Sequence, residues 1–78
     1  MKTVEAKKRM KTKYGFHRIL MIKKGENTIK FKYSLVYPAN QADKWIEYTQ
    51  TTYEMTREQA NRKYAELKKQ GYEITITE

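Results

Sequence analysis

Alternation is cleanest across residues 28–37, TIKFKYSLVY. Ile29, Phe31, Tyr33, Leu35 and Tyr37 fall on one face there, and Lys30, Lys32, Ser34 and Val36 on the other. A period of two with aromatic and β-branched side chains predicts a half-buried strand. The preceding run, residues 14–24, carries Phe16, Ile19, Leu20, Met21 and Ile22, and Lys24-Gly25-Glu26-Asn27 separates the two runs. Glycine at the first of two central positions suits a type II′ turn, so a hairpin is predicted. That turn pairs residues whose numbers sum to 51, with Ile22 against Ile29, Leu20 against Phe31 and Phe16 against Leu35 on an apolar face. Lys23 then meets Thr28, Met21 meets Lys30, Ile19 meets Lys32 and His17 meets Ser34 on the opposite face. A one-residue slip opposes Lys23 to Ile29 and Leu20 to Lys32, and is disfavoured for that reason. One flaw accompanies the preferred register: Arg18 lands beside Tyr33 on the apolar face, where it must stack on the ring or reach the sheet edge.

Residues 45–54, WIEYTQTTYE, are rich in aromatic and β-branched types and predict a third strand. Its inward face is ambiguous, because Ile46 and Tyr48 compete with Trp45 and Tyr53. The helix signal is sharper. Thr56 and Gln59 make a Thr-x-x-Gln capping box, Met55 and Ala60 occupy the staple positions, and Ala60, Tyr64 and Leu67 recur at helical spacing. Glu58 suits the first turn, Lys68 and Lys69 the last, and Gly71 the position just beyond. Residues 72–77, YEITIT, alternate again and predict a short final strand.

The fold class expected is therefore α+β: a small β-β-β-α-β domain over residues 14–78, largely antiparallel, with one helix packed on one face of the sheet. Its core is predicted to include Phe16, Leu20, Ile22, Ile29, Phe31 and Leu35 with Ile74 and Ile76, against the Tyr64 and Leu67 side of the helix. Residues 1–13 offer only Val4 and Met10 as sizeable apolar side chains among six Lys or Arg, and are expected to be a flexible or transiently helical basic arm.

Charge is what points toward a partner. Residues 1–32 hold eleven Lys or Arg against two Glu, a net +9, while residues 33–78 hold six against seven acids, a net −1. Segregation of this kind presents a polyanion-facing surface. The predicted contacts are Lys7, Lys8, Arg9, Lys11 and Lys13 from the arm, with Lys23, Lys30, Lys32 and His17 on one outer face of the hairpin. Ile19 and Met21 lie among these cations, to be covered by the arm, by a second protomer or by a partner. Tyr14, Trp45 and Tyr48 are the aromatic side chains left over as stacking platforms.

Catalytic chemistry finds little material. His17 is the lone histidine, Asp43 the lone aspartate, and there is no cysteine. No nucleophile elbow surrounds Ser34, and Gly15, Gly25 and Gly71 are too scattered for a phosphate loop. The chain is expected to be non-catalytic, with neither metal nor cofactor. The longest apolar run, Ile19–Ile22, is too short for a signal peptide or a membrane span, so a cytoplasmic protein with no membrane contact is expected.

In the order of its elements, a three-stranded antiparallel sheet followed by a helix, the stretch 14–70 resembles the sheet-type DNA-binding domains of some mobile-element integrases and plant transcription factors. The strand at 72–77 departs from that layout, and no motif is shared. The expected function is a small nucleic-acid-binding protein, double-stranded DNA favoured over RNA. The alternative is a protein-binding module of the kind phages encode as inhibitors, docking its basic face on an acidic surface of a larger nucleic-acid-processing protein. A homodimer is compatible with either.

Overall fold

A computed structural model describes residues 2–11, 14–38 and 44–77. Five strands and one helix follow in the order β1 (Thr3–Arg9), β2 (Phe16–Lys23), β3 (Thr28–Pro38), β4 (Trp45–Thr56), α1 (Arg57–Lys69) and β5 (Glu73–Thr77). They build one antiparallel sheet ordered β4-β3-β2-β1-β5, with α1 carrying the chain from one edge to the other. The α+β class stands, with one strand more than the sequence suggests.

The added strand is β1, formed by residues that read as a basic arm. Its pattern is short but real: Val4 and Ala6 alternate with Glu5 and Lys7, and Ala6 is fully buried. Seven residues pair with β2 and five with β5, so backbone hydrogen bonds on both sides compensate for the polar composition. Lys13 lies outside the described residues.

The hairpin takes the register that hydrophobic pattern disfavours. Pairs sum to 52: Lys23 faces Ile29, Met21 faces Phe31, Ile19 faces Tyr33, and Leu20 faces Lys32. Its loop is one residue longer than a type II′ turn. The Lys24 and Gly25 N–H groups both donate to the Thr28 carbonyl, at 2.9 and 3.3 Å, and Gly25 lacks the positive φ that a II′ turn requires there. Positions along β2 are apolar on both faces, so the shift loses little. Ile19 and Met21 turn toward the helix and become buried, while Phe16, Leu20 and Ile22 go to the other face. Arg18 leaves the apolar face as well, which removes the flaw. Asn27 fixes the loop further, its Oδ1 accepting a hydrogen bond from the Arg57 backbone N–H at 3.2 Å.

The core lies between this sheet face and α1. Ala6, Ile19, Met21, Phe31, Ala60 and Leu67 are its buried members, with Val4, Ile29, Tyr33, Met55, Tyr64, Tyr72 and Ile74 around them. Helix boundaries follow the local chemistry. The Thr56 hydroxyl accepts from the Gln59 N–H at 3.2 Å, and the Gln59 side chain accepts from the Thr56 N–H at 3.0 Å. At the other end Gly71 adopts φ 90°, and the Gly71 and Tyr72 N–H groups donate to the carbonyls of Lys68 and Leu67. That is a Schellman closure, with Tyr72 packed by the same turn that buries Leu67.

A bulge settles which way β4 faces. Thr51 pairs with Tyr33 and Thr49 with Ser34, leaving Gln50 as the extra residue. The alternation changes phase there. Ile46 and Tyr48 before the bulge therefore share the helix-side face with Tyr53 and Met55 after it, while Trp45 packs against Phe16 on the opposite side, ring centres 5.4 Å apart.

Candidate nucleic-acid interface

Antiparallel pairing places alternate residues on two faces, and it divides the predicted contacts. Lys7, Arg9, Lys30 and Lys32 lie on the open face, away from α1. Lys8, His17 and Lys23 lie on the helix side. The single basic hairpin face expected from the sequence is therefore corrected to two partial ones, because the one-residue register shift exchanges the faces of every β2 side chain. His17 is occupied: its Nδ1 forms a 2.6 Å hydrogen bond with the Tyr33 hydroxyl, and the two rings stack at 5.9 Å. Burial pushes the Tyr33 hydroxyl pKa upward, aided by Tyr37. Lys23 lines a cleft of about 360 Å³ between α1 and the sheet, together with Lys2, Arg57 and Tyr64.

The open face is built around Arg18, which the sequence marks only as misplaced. Its Nε donates to Glu5 Oε2 at 2.7 Å from β2 across to β1, and its Nη1 makes a short contact with Glu47 on β4. Lys32 reaches Glu47 Oε1 at 3.0 Å, Lys7 reaches Glu5 Oε1 at 3.3 Å, and the buried Ser34 hydroxyl donates to Glu47 at 3.2 Å. Partial burial disfavours the charged form of Glu5, but hydrogen bonds from Arg18 and Lys7 outweigh it and hold the carboxyl below its ordinary range. Glu47 is lowered too, by the hydrogen bond from Lys32 first and then by Arg18, against some desolvation. Burial works against the Arg18 charge, and the two carboxylates more than reverse it, so its pKa is raised. Five cations on this face (Lys7, Arg9, Arg18, Lys30, Lys32) thus meet four acids (Glu5, Glu47, Glu54, Glu73), and the net charge is small.

The surplus positive charge collects at one end of the sheet. Antiparallel order brings the end of β1, the start of β2, the end of β3, the start of β4 and the start of β5 together there, with the last turn of α1 beside them. Lys8, Arg9, Lys11, Lys44, Lys68 and Lys69 all belong to this end, and none of them is ion-paired with a described residue. Lys8 rests over the Tyr72 ring and Lys68 over the Tyr64 ring, at 5.7 and 5.5 Å from the centroids. Tyr14 is 90% exposed and Trp45 58% exposed at the same end, with Tyr48 further along β4. Five strands at a spacing of about 4.8 Å make this end roughly 20 Å wide, enough to span several phosphates. Lys44, Lys68 and Lys69 carry no sequence signal for this site because they are far from the basic segment in the chain. Only the fold joins them to Lys8, Arg9 and Lys11.

Past the β1–β2 ladder the Met10 N–H donates to the Gly15 carbonyl at 3.1 Å. A Cβ at Gly15 would lie 2.6 Å from the Val36 carbonyl oxygen, so only glycine fits where the chain enters β2 beside β3. Among the described residues no group of His, Asp or Glu side chains is arranged to hold a metal ion, and no helix is long and apolar enough to cross a membrane. The chain matches no known protein family, no curated protein and no solved structure.

Proposed function

We propose that this chain is a small, non-catalytic nucleic-acid-binding protein, favouring double-stranded DNA, which grips phosphates with the basic end of its sheet. One observation carries the reading: Lys8, Arg9, Lys11, Lys44, Lys68 and Lys69 gather there without carboxylate partners among the described residues, next to the exposed Tyr14 and Trp45. Unpaired lysines are the groups that displace condensed counterions from a polyanion, and exposed aromatic rings add stacking where a base is accessible. Arg9 and Lys30 extend the positive surface onto the open face, whereas Lys7 and Lys32 are already engaged by glutamates.

The test is fluorescence anisotropy with labelled duplex DNA, single-stranded DNA and duplex RNA across a range of salt. Micromolar binding with a log–log salt slope of about −4 or steeper is the expected result. Reversing charge with Lys8→Glu and Lys11→Glu should weaken binding at least about tenfold, more than Lys30→Glu with Lys32→Glu does. Absence of binding to any of the three at about 100 mM salt overturns the proposal.

A second reading rests on the open face itself. Phe16, Leu20 and Ile22 are only half-buried there, Trp45 is exposed, and the surrounding charges are nearly balanced. Such a surface suits docking on a protein better than gripping phosphate. Loss of a specific protein complex on Leu20→Asp, with DNA binding intact, is the outcome that favours it.

A further inference from the structure

The two edges of the sheet are very different. β5 is five residues long, whereas β4 has twelve, the longest of the five strands, and lies at the opposite edge. An edge strand exposes a row of unpaired N–H and C=O groups, and proteins ordinarily blunt it with lysine, proline or short length. β4 has none of these. Trp45–Thr56 contains no Lys, Arg or Pro, eight of its twelve residues are aromatic or β-branched, and all but Glu47 and Met55 are exposed. Ile46, Tyr48 and Tyr53 are each more than two-fifths exposed on one face of it. The bulge sharpens the twist locally but leaves the outer side of the strand without a paired strand among the described residues.

We propose that β4 is a dimerisation edge, pairing antiparallel with β4 of a second copy of this chain to give one continuous sheet. The occupant follows from charge. β4 carries Glu47 and Glu54 and no cation, a net −2, so the rest of this +8 chain carries +10. Two such chains repel each other at most approaches; both edges lack lysine and arginine, and β4, twelve residues against five in β5, is the longer one on which they can meet without opposed lysines. Alternation supplies the register. Placing Tyr48 opposite the partner's Tyr53 also sets Ile46 against Met55, Thr49 against Thr52 and Trp45 against Thr56, each pair on a single face because Gln50 changes the phase between them. The same register opposes Glu47 to Glu54. That like-charge contact is relieved within each chain, since Arg18 and Lys32 hold Glu47, and Lys30 faces Glu54 across the β3–β4 ladder. The interface is isologous, so every favourable pair occurs twice.

Sedimentation equilibrium on the full chain tests this, with two variants of the Thr49–Thr52 pair. The wild-type chain is expected at twice the 9.4 kDa monomer mass, with a dissociation constant of about 1–100 μM. Thr49→Glu with Thr52→Glu opposes like charges twice and should raise that constant at least about tenfold. Thr49→Lys with Thr52→Glu opposes unlike charges and should leave the dimer intact or tighten it. Both variants place a carboxylate at position 52 opposite Lys32 within the chain, so circular dichroism should show both folded. A wild-type monomer at about 500 μM overturns the proposal, as does a dimer indifferent to both variants.

Discussion

The two faces of the sheet are held by different physics. On the helix side, Ala6, Ile19, Met21, Phe31, Ala60 and Leu67 exclude water and make no polar bond among their side chains. On the open side, Leu20, Ile22 and Phe16 stay half-wet, and specificity comes from Arg18, which ties Glu5 on β1 to Glu47 on β4. One face is an area effect, insensitive to pH and salt; the other is a set of charges that both can dissolve. A chain of this size has little stability to spare, so the distinction can be measured.

The largest effect expected is at the helix-side core. Leu67, 2% exposed, should cost about 3 kcal/mol when truncated to alanine, against roughly 1 kcal/mol for Leu20→Ala on the open face. Urea denaturation of the two variants checks the gap, and equal losses would mean that the open face is covered in solution. Next comes Arg18→Ala, which strands two partly buried carboxylates. A fully buried pair would lose about 3–5 kcal/mol, and partial solvent access reduces the expectation to about 1–2 kcal/mol, read by the same titration. The smallest effect is the response to acid. Glu5 and Glu47 titrate lower in the folded chain than in the unfolded one. Their contribution is therefore complete above the unfolded glutamate value, about pH 4.3, and is lost as pH falls through their folded pKa values. Thermal melts between about pH 3 and 6 should show a loss of stability that flattens in Glu5→Gln with Glu47→Gln.

Much of the secondary structure is legible in the sequence where local chemistry decides it. Thr56 with Gln59 and Gly71 mark the two ends of α1, and the alternation from Ile29 to Tyr37 marks β3, because each depends on residues close in the chain. The register of β2 is different. Its residues are apolar on both faces, so hydrophobic pattern cannot choose between them, and a loop one residue longer than the simplest turn decides instead. Arg18 holds the clue: a register that buries a guanidinium beside Tyr33 invites the alternative. β1 is hidden for a related reason. Val4 and Ala6 give too little apolar signal alone, and the strand exists because β2 and β5 supply partners on both sides. The candidate site follows the same rule. Lys8, Arg9 and Lys11 stand out by charge density, but Lys44, Lys68 and Lys69 join them only through the order of the strands.

The pairing of β5 with β1 bears on how the sheet is completed during synthesis. Thr3 stands opposite Thr77, so β1 leaves the ribosome well before the strand that bonds its second side. Until then β1 has an open edge along Val4, Glu5 and Ala6. Sheet completion therefore waits for residues 73–77, and a nascent product that stops before residue 73 carries a seven-residue strand bonded on one side only.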